Sequence, residues 1–146
     1  MSHTKEIIFQ KNDLVKTLME QIATTKEAAK KTLLITTLVN NFKDDRIFPW
    51  LQIQLKDQSL DHIHSFLVQS CAQYSLSQCK TALPFFVDLL IDGTYEASIA
   101  AAQLLLTIMD TFKLDQSTIE DLEKKLSLDL NPIEQEKALK RDLKNI

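Results

Sequence analysis

His62 and His64 are the nearest thing in the chain to a metal-binding pair, yet they stand two apart in a stretch patterned as a helix. Side chains three or four apart share a helix face, whereas those two apart point in different directions, so the two imidazoles cannot grip one ion together. They are expected to be solvated or partly buried, with His3 in a flexible tail. Cys71 and Cys79 also lack the close spacing of a metal or redox pair, so two reduced, buried thiols are expected. The usual settings of a nucleophile are missing as well. The sequence has no G-x-S-x-G, no catalytic-cysteine signature, no H-E-x-x-H and no glycine-rich phosphate loop. The acid pairs Asp44-Asp45 and Glu120-Asp121 lie beside expected helix starts, where attraction to the positive helix end explains them. No catalytic residue, metal ligand or cofactor is therefore expected, and the chain reads as a non-enzyme.

The elements that carry these residues follow from composition. One Gly and three Pro among 146 residues leave little for tight strand hairpins, and the wealth of Leu, Ala, Lys, Gln and Glu favours helix. The length fits one domain, residues 1–146, with 1–11 as a flexible N-terminus. Apolar residues recur at helical spacing, as in Leu14, Val15, Leu18, Met19 and Ile22, then Leu34, Ile35, Leu38, Val39 and Phe42. Start signals punctuate them. Thr24 with Glu27, Ser75 with Gln78 and Ser117 with Glu120 have the spacing of capping boxes; Ser59 and Thr94 are simpler N-caps, and Asn131, Pro132 and Glu134 form another start. Gly93 sits where a left-handed residue would end a helix. Eight helices result, over 13–23, 26–43, 46–56, 60–74, 78–92, 95–112, 118–127 and 132–145. Pro49 falls in a first turn, while Pro84 either kinks the fifth helix or opens a later one.

Laying segments on one another reveals a repeat. Phe48-Pro49-Trp50-Leu51 through Asp57 leads to a second helix after Ser59, and Leu83-Pro84-Phe85-Phe86 through Asp92 leads to another after Thr94, at an offset of 35 residues. Leu14-Val15-Lys16-Thr17-Leu18 falls one similar step earlier. A period of this length marks helix pairs that must stack to cover their apolar faces. The segment from Leu83-Pro84 through Asp92, Gly93 and Thr94 to the Ala-rich run Ala97 to Ala102 resembles a HEAT repeat, in which an A helix opening with Leu-Pro ends at an Asp and an Ala-rich B helix follows. The resemblance spans residues 12–112. It implies an all-α fold, a right-handed α-solenoid of about four antiparallel helix pairs, and a role in binding proteins. The turn Asp has no basic partner early in either B helix, so no Asp–Arg ladder is expected.

In such a solenoid the B helices line the concave side. Thr37, Asn40 and Asn41, then Gln69 and Gln73, then Gln103, Thr107 and Asp110 fall at broadly equivalent places on the three B helices. Neutral amides and hydroxyls in a row could hydrogen-bond a peptide or helix laid across them with few charges to desolvate, so these eight residues are the expected contacts of a protein or peptide partner. Trp50 is either a binding anchor or a packing residue between repeats. Phe66, Phe85, Phe86 and Phe112 are expected in the core. From Asp115 onward the chain is highly charged with a narrow apolar stripe, which suits a terminal capping pair over 115–146.

A net charge of −3 offers no broad attraction to phosphate backbones, so a nucleic-acid-associated role is the alternative reading and not the expected one. No apolar run suits a signal peptide or a membrane span, and the expected location is cytoplasmic.

Overall fold

The apolar spacing along the chain produces a succession of helices. A computed structural model describes the backbone of residues 3–129 and the side chains of residues 14–127, and among the described residues all regular structure is helical, with no strand. The order is α1 (His3–Thr24), α2 (Ala28–Asn41), α3 (Ile47–Lys56), a 3-10 turn (Gln58–Ile63), α4 (His64–Tyr74), α5 (Leu76–Thr81), α6 (Leu83–Asp92), α7 (Tyr95–Thr111) and α8 (Gln116–Asp129). The expected helix over 132–145 and its Asn131-Pro132 start lie outside the described residues. Contacts divide the chain into two compact units, Met1–Thr81 and Ala82–Ile146.

In the first unit α4 packs on α2, α3 and α5, and α1 packs on α2. Leu67, Val68 and Cys71 of α4 are buried, together with Ile35 and Leu38 of α2 and Ile47 and Leu51 of α3. The pairs α1–α2 and α3–α4 thus meet through their second helices, which is how stacked helix pairs cover one another. The segment between α2 and α3 is tied to α4 by Tyr74. Its hydroxyl donates to the Asp44 carbonyl at 2.9 Å and accepts from the Asp44 N–H at 3.1 Å. The Arg46 guanidinium grips the Asp44 carboxylate as a fork, at 2.9 and 2.8 Å.

Two expected helices are broken in two. The 60–74 segment begins as a 3-10 turn because the Asp57 carboxylate accepts from both the Ser59 N–H and its hydroxyl, at 3.0 and 2.7 Å, tightening the first turn. Asp57, not Ser59, is therefore the cap. The 78–92 segment divides into α5 and α6 at Ala82, since Pro84 has no N–H to continue the ladder and its ring would meet the carbonyl one turn back. Pro84 instead occupies the first turn of α6.

The other caps split the same way. Ser75 accepts from the Gln78 N–H at 3.2 Å and Thr94 from the Ala97 N–H at 3.3 Å, as their positions imply. Thr24 does not cap α2, since its hydroxyl donates back to the Gln21 carbonyl at 3.1 Å. Ser117 is displaced by Asp115, whose carboxylate accepts from the Thr118 N–H at 2.7 Å. Gly93 is not left-handed, having φ −73° and ψ 171°. Glycine is needed there because a Cβ would collide with the Leu89 carbonyl oxygen, to which the Gly93 N–H donates at 2.9 Å.

In the second unit α6 packs against α7 and α8. Leu83, Phe86 and Val87 of α6 and Ala97, Ala100, Ala101, Leu104 and Ile108 of α7 are buried, the alanines allowing close approach of the two helices. Lys125 of α8 pairs with Asp88 of α6 at 2.9 Å. Phe86 is core as expected and meets the Phe85 ring edge-on with centroids 5.3 Å apart. Phe66, Phe85, Phe112 and Trp50 are only partly covered.

Candidate interaction site

The polar side chains offered by the sequence as partner contacts are distributed over both units. In the first, Asn40 and Asn41 of α2 and Gln69 and Gln73 of α4 are exposed, and Thr37 is half-buried. Gln73 Nε2 donates to Asn40 Oδ1 at 2.7 Å, so these two amides bridge the adjacent helices α2 and α4. Asn41 Nδ2 donates to the Thr37 carbonyl at 2.8 Å, and the Thr37 hydroxyl to the Leu33 carbonyl at 2.9 Å. Gln69 Nε2 reaches Ser65 Oγ at 3.5 Å. Leu33, one turn before Thr37, is itself largely exposed. In the second unit Gln103, Thr107 and Asp110 are exposed on α7 at a spacing that puts them on one side of the helix. The Thr107 hydroxyl donates to the Gln103 carbonyl at 2.9 Å, leaving its lone pairs as acceptors.

Beside that polar row, α7 carries an apolar seam that spacing alone does not single out. Tyr95 is 81% exposed, Ile99 41%, Leu106 61% and Met109 52%. With Ala102 between them, these positions follow the alternating three- and four-residue steps of a coiled-coil seam. The buried positions Ala97, Ala101, Leu104 and Ile108 follow the same steps on the opposite side. The helix is thus apolar on two faces, one covered and one open, and a Leu- and Ala-rich stretch gives the sequence no polar contrast by which to tell them apart.

The open seam leads into a groove of about 150 Å³ within the second unit. Leu83 and Val87 of α6 and Leu105 and Met109 of α7 form one wall, and Leu114 lies at its end. Ile119, Leu122 and Leu126 of α8 form the other wall, where Glu123 is the one charged side chain among the described residues.

The titratable groups have local structural explanations. His64 is buried, with Nε2–H donating to the Asp57 carbonyl at 2.9 Å and Nδ1 3.5 Å from the Asp61 carboxylate, whereas His62 is exposed. Burial pushes the Cys71 thiol well up from its ordinary range, with a smaller push from Cys79, and raises Cys79 itself to about 12. Both thiols are thus protonated near neutral pH, the form that is a poor nucleophile. Among the described residues no group of three or more His, Cys, Asp or Glu side chains is placed to hold a metal ion, and no helix is long and apolar enough to cross a membrane.

The architecture is an all-α, multi-helix fold consistent with helical-repeat proteins in general. Comparison of the chain with family models, with curated proteins and with solved structures gives no match.

Proposed function

We propose that the chain is a non-catalytic, cytoplasmic helical-repeat protein of the HEAT-like kind, a solenoid whose second helices in each pair bind a protein or peptide partner. The observation that carries this reading is the outward face of α7, where Tyr95, Ile99, Leu106 and Met109 are open and Gln103, Thr107 and Asp110 lie alongside. An apolar seam edged by polar groups is the composition of a recognition surface: the apolar side chains supply area, and the polar edge fixes register. The first unit carries exposed amides of its own on α2 and α4.

Affinity capture from the native cell tests the proposal, with wild-type chain set beside a Tyr95→Ala, Leu106→Gln variant and a Gln69→Glu, Gln73→Glu, Gln103→Glu variant. A partner retained by the wild type and lost by both variants is expected. If every captured partner survives both sets of changes, the surface is not a binding site and the reading fails.

A further inference from the structure

Resting on that reading, we infer that the partner contributes a basic amphipathic helix, its apolar side chains lying along the α7 seam and its Lys or Arg side chains on the seam's acidic edge. The steps from Tyr95 to Ile99, Leu106 and Met109 match those by which one helix packs along another, and over this length the seam runs about 21 Å at 1.5 Å per residue. A compact apolar molecule in the groove would leave most of that length in water. A helix laid along α7 would cover it and place one end over the groove beside Met109.

Charge selects the kind of helix. Glu96 and Asp110 lie along one edge of the seam, the edge that carries Gln103 and Thr107, and α7 contains no Lys or Arg. At the groove, Glu123 projects from the α8 wall, while the Asp88 carboxylate is paired with Lys125. Between residues 82 and 127 the sequence carries eight carboxylates, at Asp88, Asp92, Glu96, Asp110, Asp115, Glu120, Asp121 and Glu123. Only three lysines, Lys113, Lys124 and Lys125, offset them, a net of −5 for this stretch. Flanking charges set partner choice in helix pairing, and like charges side by side oppose it. A second copy docked seam to seam would bring its own acidic flanks against these, and its residues 1–81 carry a surplus of only two basic charges, so the complementary occupant is a basic segment of a different protein.

The test uses the full chain with methyl-13C methionine, which gives three methyl resonances, from Met1, Met19 and Met109. Three synthetic helical peptides of about 18 residues are titrated: one with a Leu seam and Lys flanks, one with a Leu seam and Glu flanks, and one with Gln in place of the Leu seam and Lys flanks. The Leu/Lys peptide should move the Met109 methyl and leave Met19 in place, and should bind at least about tenfold tighter than either control. Leu106→Gln should weaken it about tenfold, read by fluorescence anisotropy of the labelled peptide. Equal binding of the Leu/Glu peptide, or no effect of Leu106→Gln, overturns the proposal. So does a Met109 resonance that shifts with protein concentration alone, which assigns the seam to a second copy. A Met109 resonance that moves without peptide in a full-chain Leu139→Asp, Leu143→Asp variant assigns it to the chain's own C-terminal segment, with the same consequence. If native partners are lost by the α7 variant while the Leu/Lys peptide fails to bind, the protein-binding reading stands and the basic-helix partner alone is rejected.

Discussion

Asp44 shows how much of the local structure hangs on one side chain. Its carboxylate accepts from the Arg46 guanidinium and the Arg46 N–H, and these contacts hold its pKa at about 2 against an ordinary 3.8. A lowered folded-state value means the stabilisation is complete above about pH 4 and is lost as the pH falls through about 2. In an Asp44→Asn variant the backbone bonds to Tyr74 survive, so the charge alone is removed. The wild type should melt higher than the variant at neutral pH by no more than about 1 kcal/mol of stability, because the pair is partly solvated. That gap should stay level down to about pH 4 and close between about pH 4 and pH 2; thermal melts across this range check it, and a gap that persists at pH 2 refutes the assignment. The same competition among short polar side chains explains which caps were legible in the sequence. Ser75 has no acid just ahead of it and caps its helix, and Thr94 caps its own although Asp92 stands two residues before it, because Asp92 is still the last residue of α6. Ser59 and Ser117 each follow an Asp by two residues, and the carboxylate, the stronger acceptor, takes the role. Thr24 bonds its own helix instead, an option open to any hydroxyl in a last turn.

Within α7 the distinction between a covered and an open face decides what each residue is for. Helix existence was readable from composition and period, as was the helix–Gly-Thr–helix hairpin of α6 and α7. The candidate site was readable only in its polar half, because Gln103, Thr107 and Asp110 interrupt an otherwise apolar helix, while Ile99, Leu106 and Met109 look no different from Leu104 and Ile108 until the packing against α6 is known. Two substitutions separate the faces. Ala101 is fully buried, so Ala101→Leu forces three extra carbons into a close helix contact and should cost about 1–3 kcal/mol. Leu106→Gln on the open face should change stability by no more than about 0.5 kcal/mol. Urea unfolding midpoints measure both; a Leu106→Gln loss as large as that of Ala101→Leu would mean that the outward face is covered in solution.

Across the whole chain, the net charge of −3 conceals a division. Residues 1–81 hold ten basic and eight acidic side chains, a net of +2, while residues 82–127 hold three basic and eight acidic, a net of −5. Binding to nucleic acid without sequence preference depends on Lys and Arg displacing the counterions condensed on phosphates, and its strength scales with the number of phosphates neutralised. The surplus in residues 1–81 is only two charges, and Arg46 is already engaged by Asp44. The acidic stretch repels the same backbone. The full chain should therefore bind a mixed-sequence DNA duplex of about 20 base pairs with a dissociation constant weaker than about 10⁻⁴ M at about 0.15 M salt, the weak limit of non-specific binders. Fluorescence anisotropy of the labelled duplex measures this. Micromolar binding that weakens steeply with added salt would show that a basic surface forms despite the composition, and would replace the protein-partner reading with a nucleic-acid one. The Leu/Lys peptide meets the opposite field. Its association rate should fall as salt rises, because attraction to the acidic stretch speeds the approach of a cationic helix while the apolar seam, indifferent to salt, holds it once docked.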